Sequence, residues 1–287
     1  MFKLFSRLKL VIAIVLSSVV LGLIVGYTSW AHHTLITSSL SRTQAKTSPS
    51  LTTITIPKAQ DLFMPFLLVV PLHSTVTWHN DDSVAHVVAT TALQSRFLNQ
   101  QMFSFRVQAG RQVQFTFGQA GLYHYYDPTM SAWNSTLARV AAQPGTPHFP
   151  LAMDGVIWVQ GPISDRPTAA TNAIPAGHDD FTNEFLALGD HGGVTWHNFD
   201  EDPHFVGLVA GWQKPINPVD IGLYRIAGTD DVRGGEAVTV LFNTPGLYYY
   251  YCRNHDQVDP LTHRVQALPM ASEYPIPMEG FVLVMDS

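Results

Sequence analysis

From about Leu51 onward, apolar and polar positions alternate with a period of two. Arg111 to Phe117 alternates strictly, and short runs rich in Val, Thr, Phe, Tyr and Trp are set off by Gly, Pro and Asp turns. That spacing predicts strands of half-buried sheet. No stretch after residue 31 carries the period of an amphipathic helix longer than a few turns, so the expected class is all-β. One long unbroken apolar run stands apart: Leu10 to about Trp30 has no charge and follows Lys3, Arg7 and Lys9. This is the layout of a signal or membrane-anchor segment, assigned to residues 1–31. The positive residues ahead of it predict that the rest of the chain crosses the membrane. The body is therefore expected on the extracytoplasmic face, anchored by the helix, or secreted if cleavage follows Ala31. Residues 32–50, rich in Ser and Thr without an apolar period, read as a flexible tether.

The strand pattern is written twice. Thr75 to Asn80 (TVTWHN) parallels Thr195-Trp196-His197-Asn198 and its flank at an offset of 118, and His86 falls on His204 at the same offset. Gly121 to Tyr126 parallels Gly246 to Tyr251 at an offset of 125, and Met153-Asp154-Gly155 meets Met278-Glu279-Gly280 at the same value. The change of seven places an insertion in the second copy around Trp212 to Arg233. Two tandem β-sandwiches of Greek-key type are the simplest account. Their expected bounds are 51–161 and 179–287, joined by a Pro-rich linker, 162–178, with Pro162, Pro167 and Pro175. Trp78 and Trp196 are expected in the two cores, with His79 and His197 on the opposite face.

Composition narrows the function. At 287 residues and 46% hydrophobic content the chain can fill two cores, and a net charge of -6 with no basic run outside the N-terminus argues against nucleic acid. There is one cysteine, Cys252, so no internal disulfide exists. In an oxidising compartment a lone thiol is better explained by ligation than by bracing. It follows an aromatic run that places Tyr248, Tyr250 and Cys252 on one strand face, and His255 stands three positions on. A thiolate and an imidazole together select copper or zinc over calcium or magnesium. His204, after the Trp-His-Asn strand, and Met278, before the apolar end, are the other candidate ligands. Asn198 is positioned to hold the His204 loop.

This ligand set, with its Gly-x-Tyr-x-Tyr-x-Cys strand and closing Met-x-Gly strand, resembles the cupredoxin family, of plastocyanin- or amicyanin-like blue-copper type. The resemblance covers about residues 179 to 287. It implies one type 1 copper in the second domain, with His204, Cys252 and His255 in a trigonal plane and Met278 as a weak axial ligand. It further implies a single-electron carrier whose redox partners dock near the copper end, with the His255 ring edge as exit and Tyr251 as a second contact. One departure is plain: 22 residues separate His255 from Met278, where the family pattern has a few. His263 for His255 and Met270 for Met278 therefore stay open, although the interval from Asp127 to Met153 equals that from Cys252 to Met278, at 26.

In the first copy Asp127 stands for Cys252 and Met130 for His255, so no blue-copper site is expected there, although His86 and Met153 survive. His73, His79, His124 and His148, with Asp127, leave room for a different metal site. His32-His33 would form an amino-terminal copper-binding pair after cleavage at Ala31. Two rival functions are a copper-dependent oxidoreductase, nitrite-reductase- or multicopper-oxidase-like, and a non-redox copper-binding or delivery protein. The first calls for further histidines, such as one beside the cysteine, and Tyr251 and Arg253 flank Cys252.

Overall fold

The computed structural model describes residues 52–164, 166–209, 223–226 and 236–286. The alternating segments form strands: β1 (Thr53–Ile56), β2 (Leu67–Pro71), β3 (Thr75–Asn80), β4 (His86–Thr90), β5 (Ser104–Val107), β6 (Gln112–Thr116), β7 (Gly121–Tyr126), β8 (Ser131–Asn134), β9 (Arg139–Ala142) and β10 (Asp154–Gln160). A second set follows: β11 (Ala169–Ile174), β12 (Phe185–Gly189), β13 (Gly193–Asn198), β14 (His204–Leu208), β15 (Leu223–Ile226), β16 (Ala237–Leu241), β17 (Gly246–Tyr251), β18 (Asp256–Val258), β19 (Val265–Ala267) and β20 (Glu279–Met285). The described residues contain strands and no helix. The first set makes sheets β1-β3-β6 and β2-β10-β7-β4-β5, and the second makes β11-β13-β16 and β12-β20-β17-β14-β15. The two orders are the same, strand for strand. Hairpins β8-β9 and β18-β19 stand beside them.

Each three-stranded sheet faces its five-stranded sheet over an apolar core. Trp78 and Trp196 lie fully buried at the two centres, edge-on to Tyr125 at 5.7 Å and to Tyr250 at 5.3 Å. Tyr125 pairs across the ladder with Gly155, and Tyr250 with Gly280. A Cβ on either glycine would collide with the tyrosine ring, so glycine there is a packing requirement. His79 and His197 are only part-buried, on the outer face of their strands.

The other faces of the two five-stranded sheets meet each other. Phe66, Leu122 and Val156 of the first sandwich share a core cluster with Phe185, Leu247 and Phe281 of the second. This accounts for Glu279–Met285, which is buried at every position. A strand covered on both faces has no polar side to alternate with. Repeat-related residues meet across this interface, as in an isologous pair. Phe149 touches its counterpart Tyr274, ring to ring at 5.6 Å. Arg139 reaches Asp180 Oδ1 at 2.9 Å and donates to the Glu279 carbonyl, while its counterpart Arg264 donates to the Ala152 carbonyl and pairs with Asp154.

One boundary differs from expectation. Residues 169–174, expected inside the linker 162–178, form β11 and pair in parallel with β13 from Ala169↔Gly193 to Ile174↔Asn198. Small Ala and polar Thr and Asn carry little apolar signal, and flanking prolines masked a strand whose inward positions are Asn172 and Ile174. The second sandwich therefore begins about ten residues before 179. Both sandwiches belong to one compact unit. The expected anchor, residues 1–31, and the tether, residues 32–50, lie outside the described residues, as does most of the expected insertion around 212–233. Among the described residues no helix is long and apolar enough to cross a membrane.

Candidate metal centre

Cys252 leaves the end of β17 and begins a turn in which the backbone N–H groups of His255 and Asp256 both donate to its carbonyl, at 3.2 and 3.1 Å. That turn folds His255 back over the thiol. His204, the first residue of β14, arrives from the neighbouring strand. The Cys252 Sγ lies 3.8 Å from His204 Nδ1 and 3.7 Å from His255 Nδ1, with the two imidazoles 4.8 Å apart between centroids. The Phe205 N–H donates to the sulfur at 3.3 Å. Met278 is buried in the same core cluster as Cys252, and its carbonyl accepts the Cys252 N–H at 3.1 Å.

The donor set fits a soft divalent metal. With metal–sulfur and metal–nitrogen bonds of about 2.3 and 2.0 Å, sulfur–nitrogen separations of 3.7 and 3.8 Å subtend about 120° at a shared ion. A trigonal thiolate and two-imidazole arrangement with a methionine nearby is the donor pattern of a copper site. Burial pushes the Cys252 thiol up to about 11, with Asp256 adding to it and the Phe205 N–H opposing. The sulfur thus keeps its proton at neutral pH until a metal displaces it, so metal uptake releases a proton. Burial, aided by His204 and opposed by Asp179, lowers the His255 pKa, which keeps its Nδ1 lone pair free.

A second layer holds these groups. Asn198 donates to the carbonyls of Asp202 at 2.8 Å and Ile226 at 3.2 Å, fixing the loop that precedes His204, and its side-chain oxygen accepts the Asp200 N–H. Asp200 Oδ2 meets His204 Nε2 at 3.1 Å. Burial works to raise the Asp200 pKa, but the Gly177 N–H and the His204 ring outweigh it and hold it low. Asp179 Oδ1 lies 3.2 Å from His255 Nε2. Both imidazoles therefore face the sulfur with Nδ1; His204 bonds Asp200 through Nε2, and His255 has the Asp179 carboxylate close to its Nε2.

The same layer exists in the first sandwich around a different centre. Asn80 and Asp82 repeat the bonds of Asn198 and Asp200, and Asp82 Oδ2 meets His86 Nε2 at 3.2 Å. Where the second sandwich has sulfur, Asp127 Oδ2 takes His86 Nδ1 at 2.8 Å and the Val87 N–H at 3.2 Å. A carboxylate here stands in the ligand position and pairs with His86. His73, His79, His124 and His148 are not brought together with Asp127 in any metal-sized cluster among the described residues.

For the residues that spacing left open, His255 is the histidine beside the sulfur, whereas His263 sits in the β18-β19 turn with its N–H on the Asp259 carbonyl. Met278 is 1% exposed and Met270 is 77% exposed. Tyr251, the second candidate contact for a partner, is part-buried on the opposite side of its strand from Cys252. It packs against the apolar cluster between the sandwiches, because the outer face of its sheet is itself covered. Within the stretch between His255 and Met278, the β18-β19 hairpin carries Arg264 into the first sandwich. Asp179 and Asp200 were not singled out from sequence. A usable signal existed, since Asp61 and Asp82 precede them by the same 118 residues that separate His86 from His204.

No family model and no curated protein matches the chain. Among solved structures it is similar to a purple cupredoxin from Nitrosopumilus maritimus, at 23% identity over 38% of this chain and 98% of that one, with a TM-score of 0.26. It is also similar to an oxidized mutant of amicyanin, at 17% identity over 40% of this chain and 87% of that one, with a TM-score of 0.27. A second amicyanin mutant, in its reduced Cu(I) form, aligns at 20% identity over 40% and 87%, with a TM-score of 0.25.

Proposed function

We propose that this chain is a cupredoxin-like protein of two tandem domains, with one type 1 copper in the second, that carries single electrons between redox partners. The observation that carries the reading is a buried cysteine sulfur flanked at 3.8 and 3.7 Å by two imidazole Nδ1 atoms, with Met278 in the same core. His204, Cys252 and His255 would hold the ion and Met278 would stand as the weak fourth ligand. Copper bound there would supply one-electron redox chemistry. The chain's part is rigidity: the β14 and β17 ends, the Asn198 and Asp200 bonds and the Phe205 N–H to sulfur fix the donors before and after transfer, so little rearrangement accompanies it. Burial excludes water from the sulfur.

The rest of the reading rests on sequence. The apolar run from Leu10 to about Trp30 supports a membrane anchor with both sandwiches on the extracytoplasmic side, and partners would approach the copper end of the second sandwich. A copper-dependent oxidoreductase would need a second metal, and the ion pair His86–Asp127 occupies the corresponding position in the first sandwich. The test is an optical and EPR spectrum of the full chain in detergent, loaded with Cu(II), beside Cys252→Ala. An intense visible thiolate-to-copper band, lost in the variant, with one copper per chain, is expected. A folded, copper-loaded protein without the band refutes the blue-copper reading, and a second bound copper returns the oxidoreductase.

A further inference from the structure

Asp179 bridges the candidate metal centre and the segment that follows the β18-β19 hairpin. Its Oδ1 lies 3.2 Å from the outer nitrogen of His255, its Oδ2 accepts the Ser272 N–H at 2.7 Å, and its own N–H donates to Ser272 Oγ at 2.8 Å. One side chain thereby joins a candidate ligand to the segment that runs down to Met278. The adjoining residue repeats the link, with His178 Nδ1 on Glu273 Oε1 at 2.6 Å. The contact also covers the histidine edge, leaving the two side chains 12% and 13% exposed.

The repeat separates this contact from general architecture. Asp200 holds His204, but its counterpart Asp82 holds His86 in the sandwich that has no thiol, so that pair belongs to the fold. Asp61, the counterpart of Asp179, has Met130 where His255 would stand. The Asp179–His255 contact is found only in the copy that keeps Cys252. We propose that Asp179 is a positioning residue for the metal centre, setting both the orientation and the donor strength of His255. This rests on the copper reading given above. An imidazole bound through Nδ1 carries its proton on Nε2, and a carboxylate accepting that proton fixes the ring and strengthens Nδ1 as a donor. A stronger donor beside a fixed negative charge favours the higher oxidation state. Asp179 therefore lowers the reduction potential and tightens Cu(II) binding.

The experiment compares the full chain with Asp179→Asn and Asp61→Asn, measuring copper affinity, reduction potential and the EPR hyperfine splitting. Asp179→Asn should keep the thiolate-to-copper band, raise the potential, alter the splitting and weaken Cu(II) binding by about 10- to 100-fold, while Asp61→Asn matches the wild type. A blue wild type whose potential and affinity are unchanged in Asp179→Asn overturns the role of Asp179 alone. A wild type without the band overturns the copper reading and this inference with it. Proton NMR of the Cu(I)-loaded wild type gives a check that needs no variant. A slowly exchanging His255 Nε2–H is expected, and rapid exchange of that proton overturns the proposal.

Discussion

Two positions separate the sandwiches chemically: Asp127 and Met130 stand in the first where Cys252 and His255 stand in the second. At the end of β17 a sulfur stands between two imidazoles, and at the end of β7 a carboxylate bonds one imidazole directly. Asp127 also accepts the Thr129 N–H at 2.8 Å, so its charge is fully engaged inside the core. Removing one member of a buried pair strands the other, which costs about 3–5 kcal/mol. Asp127→Ala should therefore lower the unfolding free energy by about that amount in denaturant titration, with the visible band of the second sandwich retained. A variant as stable as the wild type would mean the pair is not part of the fold's support. Cys252, His204, His255 and Met278 were legible because thiol, imidazole and thioether are scarce and their spacing is constrained. Asp179 and Asp200 were not, because an aspartate aimed at an imidazole reads like any solvated turn residue until the fold closes around it.

Among the elements, strands with one covered face announced themselves. Gln112–Thr116 alternates and lies in a three-stranded sheet, as its pattern predicts. Two kinds of strand were harder to read. β11 is built from small and polar residues between prolines, and β20 is apolar throughout because both its faces are covered. The repeat still marked where β20 opens, through Met153-Asp154-Gly155 and Met278-Glu279-Gly280. The glycines have a packing reason: a Cβ at Gly280 would lie within 2.5 Å of the Tyr250 ring. Tyr250 is two residues from Cys252, and its hydroxyl accepts from Asn172 at 2.9 Å, so it has little room to retreat. Gly280→Ala should cost about 1–3 kcal/mol as overpacking. It should also shift the absorption of the copper-loaded protein, since β17 carries the displacement to the sulfur. Loss of stability with an unchanged spectrum would show that the strain is absorbed on the β20 side.

At the scale of the whole molecule, the repeat reveals two copies without saying which faces they share. The interface was hidden in residues that look like errors in a core: His124, Arg139, Asp154, Asp180, Glu184, Arg264 and Glu279 are all buried. His124 Nε2 lies 3.0 Å from Asp154 Oδ2, and its Nδ1 lies 3.9 Å from Glu184 Oε2. Burial opposes a charge on this ring, but Glu184 and then Asp154 prevail and raise its pKa above the ordinary 6.5. Burial likewise raises the Glu184 pKa above 4.5, against the pull of His124 and Arg139. Both shifts have one sign, because the folded protein binds protons that the unfolded chain has released. The contribution of His124 is fully present below pH 6.5 and is lost as pH rises through the folded value. That of Glu184 declines in the same direction from 4.5 upward. Asp154, held low by Arg264 and His124 against burial, matters only at more acidic pH. The unfolding free energy should therefore fall as pH rises above 4.5 and further above 6.5, by up to about 1.4 kcal/mol per pH unit for each proton retained. In His124→Asn the share of the slope supplied by the ring should be lost, while that of Glu184, whose burial shift His124 opposes, remains. A wild-type stability that is level or rises with pH over this range would mean the buried ring stays neutral, with Arg139 and Arg264 alone balancing the interface carboxylates.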